Sequence, residues 1–358
     1  MKVLFLTKYP EEGASSRYRV YQYLPYLDAA GIDYEVQPFM SAAMYQRMMR
    51  SGGMGRKTVD TLTAVIKRVL SVAAAKQFDL VYLQRDCLPF GTPWLERLLA
   101  KWKVRTIFDY DDALFIFKGS THNQLADKFK RPDKYLEIFS LVDCVLAGND
   151  WLRDQAGAYC PDARTFYVAE DLERYTLRPP HGDNGVVTIG WLGSPSTEKY
   201  LKLIESPLAT VCSRYPQVKL KIIGGGSFRG EGIPVEQVPW TMTTEVPHLH
   251  SFDIGIMPLP LEEWSKGKSG GKARTYMAVG LPAVCTRIGF NCELIRDGEN
   301  GFLVESSEEW IDSLSRLVES AELRVRIGTA ARREVEERYS LQKLGPEFVQ
   351  ILQEIASR

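Results

Sequence analysis

The sequence predicts an α/β fold in two domains, and three observations lead there. A chain of 358 residues is long enough for two cores, and 45% hydrophobic with 25% charged residues is the balance of a core-forming chain. Short apolar runs alternate with helical patterns along the whole length. One stretch, Gly267 to Val284, packs the pattern tightly: a basic Gly/Ser loop, a helix of about two turns closed by Gly280 and Pro282, then an apolar strand. Backbone N–H groups at a helix start are unpaired and carry positive partial charge, and Lys266, Lys268 and Lys272 add full charges. Glycines let a ligand approach, so Lys268-Ser269-Gly270-Gly271-Lys272 reads as a phosphate cradle.

In chain order, Lys2 to Thr7 reads as a first strand, and Met1–Leu6 as the start of that strand and not a signal peptide. The loop Tyr9 to Arg19 carries Gly13, Ser15, Ser16 and Arg17, without a GxGxxG fingerprint. Tyr18 to Ala30 reads as a helix stopped by Gly31, and Ile32 to Pro38 as a strand. Residues 41–76 look like an insertion with seven cationic residues, Arg47, Arg50, Arg56, Lys57, Lys67, Arg68 and Lys76, against one acid, Asp60. Leu62, Val65, Ile66, Val69 and Leu70 add a helical apolar stripe. Two readings stand: a helix packed on its own sheet, or an interfacial helix on an anionic membrane. Strands follow at Phe78–Leu83 and Val104–Phe108, with a helix at Pro93–Trp102 between them. The second strand runs into Asp109, Asp111 and Asp112, acids at the end of a strand, where α/β sheets place their sites. A strand at Leu141–Leu146 leads to a helix capped by Asn149 or Asp150, and Phe166–Val168 ends the domain. The first domain is set at 1–178, with Arg174 to Gly185, including Pro180 and Gly182, as linker.

The second domain is set at 179–340. Val186 to Gly193 is a strand ending in a tight turn, and Ser194 or Ser196 caps the helix that follows. Strands are expected at Val218–Ile223, Val235–Trp240 and Phe252–Met257, and residues 306–339 are helical. Leu341 to Ile355 is a last amphipathic helix, within a terminal segment 341–358.

Bulk properties exclude several classes. Lys+Arg and Asp+Glu balance at 45 each, which argues against a nucleic-acid binder. Six cysteines show no CxxC pair or metal-ligand spacing and read as buried thiols of a reducing cytosol. No apolar run approaches the roughly 20 residues of a membrane span. Neither a cofactor nor a metal is expected.

The Gly267–Val284 stretch, with Asp253–Pro260 before it and Ile288–Val304 after it, resembles the C-terminal domain of retaining GT-B glycosyltransferases, family 4 or group 1. The resemblance implies a GT-B fold, two Rossmann-like parallel-sheet domains facing a central cleft, with the terminal helix crossing back to the first. It also implies a nucleotide-diphosphate sugar as donor substrate. Gly193 and Lys199 match the family's glycine and lysine at the first turn of the second domain, and Ser194 stands where relatives carry arginine. Relatives have two glutamates eight positions apart, where this chain has Gly267 and Thr275, with Glu262 and Glu263 on the preceding loop. Many relatives carry a histidine where Asp109, Asp111 and Asp112 lie. The donor-binding set is therefore expected to be Gly13, Arg17, Gly193, Ser194, Thr197, Lys199, Trp240, Lys268, Ser269, Gly270, Gly271, Lys272 and Thr275. The catalytic set is Asp109, Asp111, Asp112, Lys199 and Lys268.

The expected activity is transfer of the sugar, with retention, to a glycan, a lipid-linked or another hydroxyl acceptor. The leaving diphosphate carries charge that the helix start and lysines stabilise. The expected location is the cytoplasm, with peripheral association at the inner face of the plasma membrane through 41–76. Two alternatives stand beside it: a non-catalytic GT-B-like protein that binds nucleotide sugars or glycans, and a nucleotide-sugar epimerase. Donor binding without turnover separates the first from an enzyme.

Overall fold

The computed structural model describes residues 1–48, 54–116, 131–179 and 185–358. Of the positions named above, Arg50, Pro180 and Gly182 lie outside the described residues. The chain divides into two compact units, Met1–Val168 with Leu344–Arg358, and Ala169–Lys343. Residues 169–178, placed by sequence in the first domain, thus pack with the second. Their backbone already has partners there. The Glu170 N–H donates to the Tyr339 carbonyl at 2.8 Å, and the Glu170 carbonyl accepts from Leu341 N–H at 2.9 Å. The Arg178 N–H reaches the Val279 carbonyl at 3.0 Å, and its guanidinium bonds Asp253 at 2.8 Å.

The first unit holds a parallel sheet of β1 (Lys2–Thr7), β2 (Asp33–Pro38), β3 (Leu80–Gln84), β4 (Thr106–Tyr110), β5 (Cys144–Ala147) and β6 (Ala163–Thr165). Its strand order is β2-β1-β3-β4-β5-β6, so the order reverses between β1 and β3. Val3, Leu4, Phe5 and Leu6 are all fully buried, as a parallel strand covered on both faces requires. The helix expected from Tyr18 starts earlier and is broken. Ala14–Arg19 is helical, Val20 departs at φ −134°, Tyr21–Tyr23 is a 3-10 turn, and Leu24–Ala29 resumes with Pro25 in its first turn. Proline has no N–H to continue a helix and its ring collides with the carbonyl four residues back, so the break falls before it. Strand β4 runs two residues further than its apolar run suggests. Asp109 pairs in register with Gln84 and Leu146, inside the sheet. No strand forms at 166–168. The insertion forms helices Ala42–Met48 and Met54–Ala73. In the Leu341–Ala356 helix, Phe348 is buried among first-unit rings, with centroids 4.6 Å from Tyr23, 5.4 Å from Phe166 and 5.5 Å from Tyr82.

The second unit holds β7 (Val187–Leu192), β8 (Val218–Ile223), β9 (Val235–Val238), β10 (Ile254–Met257), β11 (Ala283–Thr286) and β12 (Phe302–Val304). These are parallel in the order β12-β11-β10-β7-β8-β9, with the reversal between β7 and β10. Trp191, Leu220, Ile254, Val284, Phe302 and Leu314 share one core. The helical run 306–339 splits at Ser320, which caps the second of two helices, Ser307–Glu319 and Ala321–Glu334. Both units are therefore Rossmann-like, and in such sheets ligands bind beyond the carboxyl ends of the strands at the reversal. No described helix is long and apolar enough to cross a membrane. Five cysteines are buried, whereas Cys292, expected with the others, is exposed.

Candidate active site

In the second unit the reversal point is lined by the turn after β7 and by the loop before the Gly271–Ala278 helix. Gly270 is the N-cap of that helix, with φ +63° in the left-handed region. A Cβ there would stand 2.5 Å from the Phe290 ring, so both backbone and space demand glycine. The turn after β7 approaches the same helix closely. A Cβ on Gly193 would meet the Trp191 ring at 2.4 Å and Lys272 Cε at 2.8 Å. Lys272 is half-buried, its ammonium 5.4 Å from the Trp191 ring centroid. Among the described residues, it has no carboxylate partner and no hydrogen bond. Lys268 holds its ammonium 3.7 Å from the Trp264 ring centroid. Burial, and secondarily the charge of Lys268, lower Lys272 from 10.5 to about 8. A half-buried cation without a carboxylate partner among the described residues, beside a helix start, suits a bound dianion.

The lowered Lys272 implies an expected pH dependence for phosphate binding at this loop. Below pH 8 Lys272 is already charged and phosphate binding takes up no proton there. Between about 8 and 10.5 the free lysine is neutral, and a bound phosphate draws a proton onto it. Nucleoside-diphosphate affinity is therefore expected to fall above pH 8, by at most about tenfold per pH unit. Calorimetry at pH 8.5 in buffers of different ionisation enthalpy checks this; zero net proton uptake contradicts it.

Other expected donor residues surround the turn after β7. Ser194 caps the Pro195–Glu198 helix by position only, its hydroxyl engaged with Ser196 at 2.8 Å. The Thr197 hydroxyl donates to the Ser194 carbonyl at 3.1 Å. Both are spent on local structure in this state. Lys199 is exposed, its ammonium 5.5 Å from the Tyr200 ring centroid. Sequence reasoning passed over Glu198, which is buried and accepts N–H groups from Gly226, Ser227 and Phe228 at 2.9–3.0 Å. One carboxylate thus ties the β7 turn to the glycine loop after β8. Trp240 is 41% exposed, with its Cβ 2.9 Å from where a Cβ on Gly224 would lie.

Thr275 is buried, and its hydroxyl donates to Oε1 of Glu170 at 3.2 Å. The same oxygen accepts from Arg274 Nε at 3.2 Å, while Arg274 Nη1 donates to the Ser269 carbonyl in the glycine-rich loop at 2.7 Å. Oε2 of Glu170 is buried and accepts no hydrogen bond from the described residues. Burial raises Glu170 to about 7, against the pull of Arg274 and with a push from Glu245. A carboxylate therefore does stand beside Thr275, but it comes from position 170. Glu262 and Glu263 are exposed, and they do not lie on a loop as expected: Glu262 is the N-cap and Glu263 the first residue of a short helix, Glu263–Lys266. Nothing in the local pattern around Glu170 marks it, because its partners lie more than a hundred residues away.

In the first unit the edge beyond β1, β3 and β4 carries the remaining expected residues. Gly13 is buried, and its N–H donates to the Pro10 carbonyl at 2.9 Å. Arg17 reaches the Glu12 carbonyl at 3.4 Å. Asp109, expected among the catalytic acids, is instead structural. Both its oxygens accept from Arg19 Nε at 3.0 Å, and neither side chain has exposed surface. Arg19 Nη1 also donates to the Phe166 carbonyl at 2.6 Å. Asp111 and Asp112 remain partly exposed, and Arg85 Nη2 faces them at 3.5 and 3.9 Å. Ser15 donates to Asp111 at 3.3 Å, and Gln84 donates to Ser15 at 3.1 Å. Arg85 holds φ +65°, a left-handed backbone uncommon for a residue with a side chain. Sequence reasoning missed Arg85; the Gln84-Arg85-Asp86 end of a strand was its only signal.

These features define a two-unit α/β protein with a basic, glycine-rich loop and a helix start at the switch point of its second sheet. Residues 183–320 match the family model described as glycosyl transferases group 1. Spore coat protein SA of Bacillus subtilis (strain 168) is 23% identical over 282 residues, covering 67% of this chain and 72% of that protein. A sucrose-phosphate synthase from Thermosynechococcus elongatus superposes with a TM-score of 0.71 at 13% identity, over 100% of this chain and 99% of that one. Anabaena HepE in complex with UDP-glucose superposes with a TM-score of 0.69 at 16% identity, over 99% and 100% of the two chains. The fold is that of the GT-B enzymes, and the family match supports a GT-B glycosyltransferase.

Proposed function

We propose that this chain is a retaining glycosyltransferase of family 4 that moves a sugar from a nucleotide-diphosphate sugar to a hydroxyl acceptor on a glycan or lipid-linked substrate. The observation that carries the reading is Lys272, a half-buried cation without a carboxylate partner among the described residues. It stands against Gly193 and opens the Gly271–Ala278 helix at the switch point of the sheet. Lys268, Ser269, Gly270 and Gly271 complete the cradle, and Lys199, Ser194 and Thr197 rim it. Charge that develops on the leaving diphosphate is met by preorganised N–H groups and lysines, which stabilise the transition state more than the ground state. Thr275 with Glu170 takes the place of the second of the family's two glutamates. Trp240 lies beside Gly224 on the donor side. On the first unit, Asp111, Asp112 and Arg85 orient acceptor hydroxyls, and Gly13 and Arg17 belong to the segment that follows β1. The protein works in the cytoplasm.

The test is a thermal-shift screen of UDP-, GDP- and ADP-sugars, followed by an assay for free nucleoside diphosphate with simple sugar acceptors. One donor class should raise the melting temperature and release its nucleoside diphosphate. Gly267 carries no carboxylate, and this departure favours a second reading, a binding protein without turnover. Stabilisation by a donor without any release would decide for that reading, and no stabilisation by any nucleotide sugar would remove both.

A further inference from the structure

The Met54–Ala73 helix of the first unit carries its apolar residues on two faces, and the described residues cover only one. Ala64, Arg68 and Val72 are buried, and Arg68 Nη2 donates to the carbonyls of Thr7 at 2.6 Å and Gln37 at 3.1 Å. That face fastens the helix to the ends of β1 and β2. The opposite face presents Val59, Leu62, Ile66 and Leu70, at steps of three, four and four residues, each between 56% and 63% exposed. Four large aliphatic side chains in a row on one exposed helix face demand a partner. Arg56 and Lys67 are exposed, and at 3.6 residues per turn they lie within about 100° of the stripe. The helix's single acid, Asp60, is taken by Arg47 at 2.8 Å. Segment 41–76 carries seven cations against that one acid, in a chain whose total charge is zero.

We infer that this face lies on an anionic lipid bilayer, with Val59, Leu62, Ile66 and Leu70 in the acyl boundary and Arg56 and Lys67 among the headgroups. The charge selects this occupant. A second copy of the chain would bring like-charged rims together, whereas an anionic surface complements them, and long cationic stems extend readily to headgroup level. The inference stands on the first unit alone and does not depend on the glycosyltransferase reading.

The full chain is mixed, without nucleotide, with vesicles of phosphatidylcholine alone or with phosphatidylglycerol, and sedimented. Binding is expected to the anionic vesicles only, and to weaken several-fold as salt rises. Leu62→Ser with Ile66→Ser, both on exposed positions, should lower binding about tenfold or more with an unchanged circular dichroism spectrum. Arg56→Glu with Lys67→Glu should abolish the lipid selectivity. Absence of binding to either vesicle overturns the inference, as does equal binding to both. So does a dimer in solution that Leu62→Ser with Ile66→Ser dissociates, since a second copy would then cover the face.

Discussion

Lys268→Ala combined with Lys272→Ala is expected to weaken nucleoside-diphosphate binding by about 1–3 kcal/mol, roughly 5- to 150-fold. Charge-assisted hydrogen bonds to phosphate are the strong ones, and Lys272 is placed to make them without first leaving a carboxylate partner. Most of the loss should come from Lys272→Ala alone. Lys268 rests against the Trp264 ring and acts on phosphate as a second charge at the loop. The variant should fold as well as the parent, because a lysine lowered to about 8 by burial is a cost to the fold and not a support. Titration calorimetry reads the effect. An unchanged affinity, with an unchanged melting curve, contradicts the assignment of the phosphate site.

The largest effect on stability is expected at Arg19. It is fully buried, and Asp109 is buried with it. Burial disfavours the guanidinium charge, but Asp109 more than offsets this and holds Arg19 above its ordinary value. Arg19→Met leaves the Asp109 carboxylate in the sheet without a counter-ion, and should destabilise the first unit by about 3–5 kcal/mol. That corresponds to a fall in melting temperature on the order of 10 °C. Adding Asp109→Leu to Arg19→Met should recover most of the loss, since an apolar pair of similar volume replaces a buried ion pair at little cost. A single variant that melts like the parent, or a double variant no better than the single, would contradict the structural role of Asp109.

The two largest-effect positions differ in how they could be read. The loop, helix and strand of Gly267–Val284 were legible because their signals are local: a glycine at the helix start, the Gly280 and Pro282 stop and an apolar run lie within a few residues. The Asn149 cap was legible for the same reason, and its side chain accepts the Leu152 N–H at 2.8 Å. Asp109 was misread because a strand's end cannot be judged from its apolar run. The run stops at Phe108, but the ladder continues through Asp109 to Tyr110, and the charge is met from ninety residues away by Arg19. Glu170 escaped for a related reason. Position 275 lacks the family's carboxylate, and the acids near it in sequence are Glu262 and Glu263. The acid that reaches Thr275 instead sits at the start of the second unit, brought there by the parallel bridge of Glu170 with Ser340. Long-range pairs of this kind leave no periodicity to detect.

The central claim is that the cradle beyond β7 and β10 holds the diphosphate of a nucleotide donor. The most direct measurement follows backbone amide resonances of the labelled full chain during titration with UDP. The largest changes are expected at Gly270, Gly271 and Lys272, with Gly193 next, and they should shrink in the Lys272→Ala variant. Saturable UDP binding that leaves these amides unmoved and shifts the ends of β1 and β3 instead would contradict the claim.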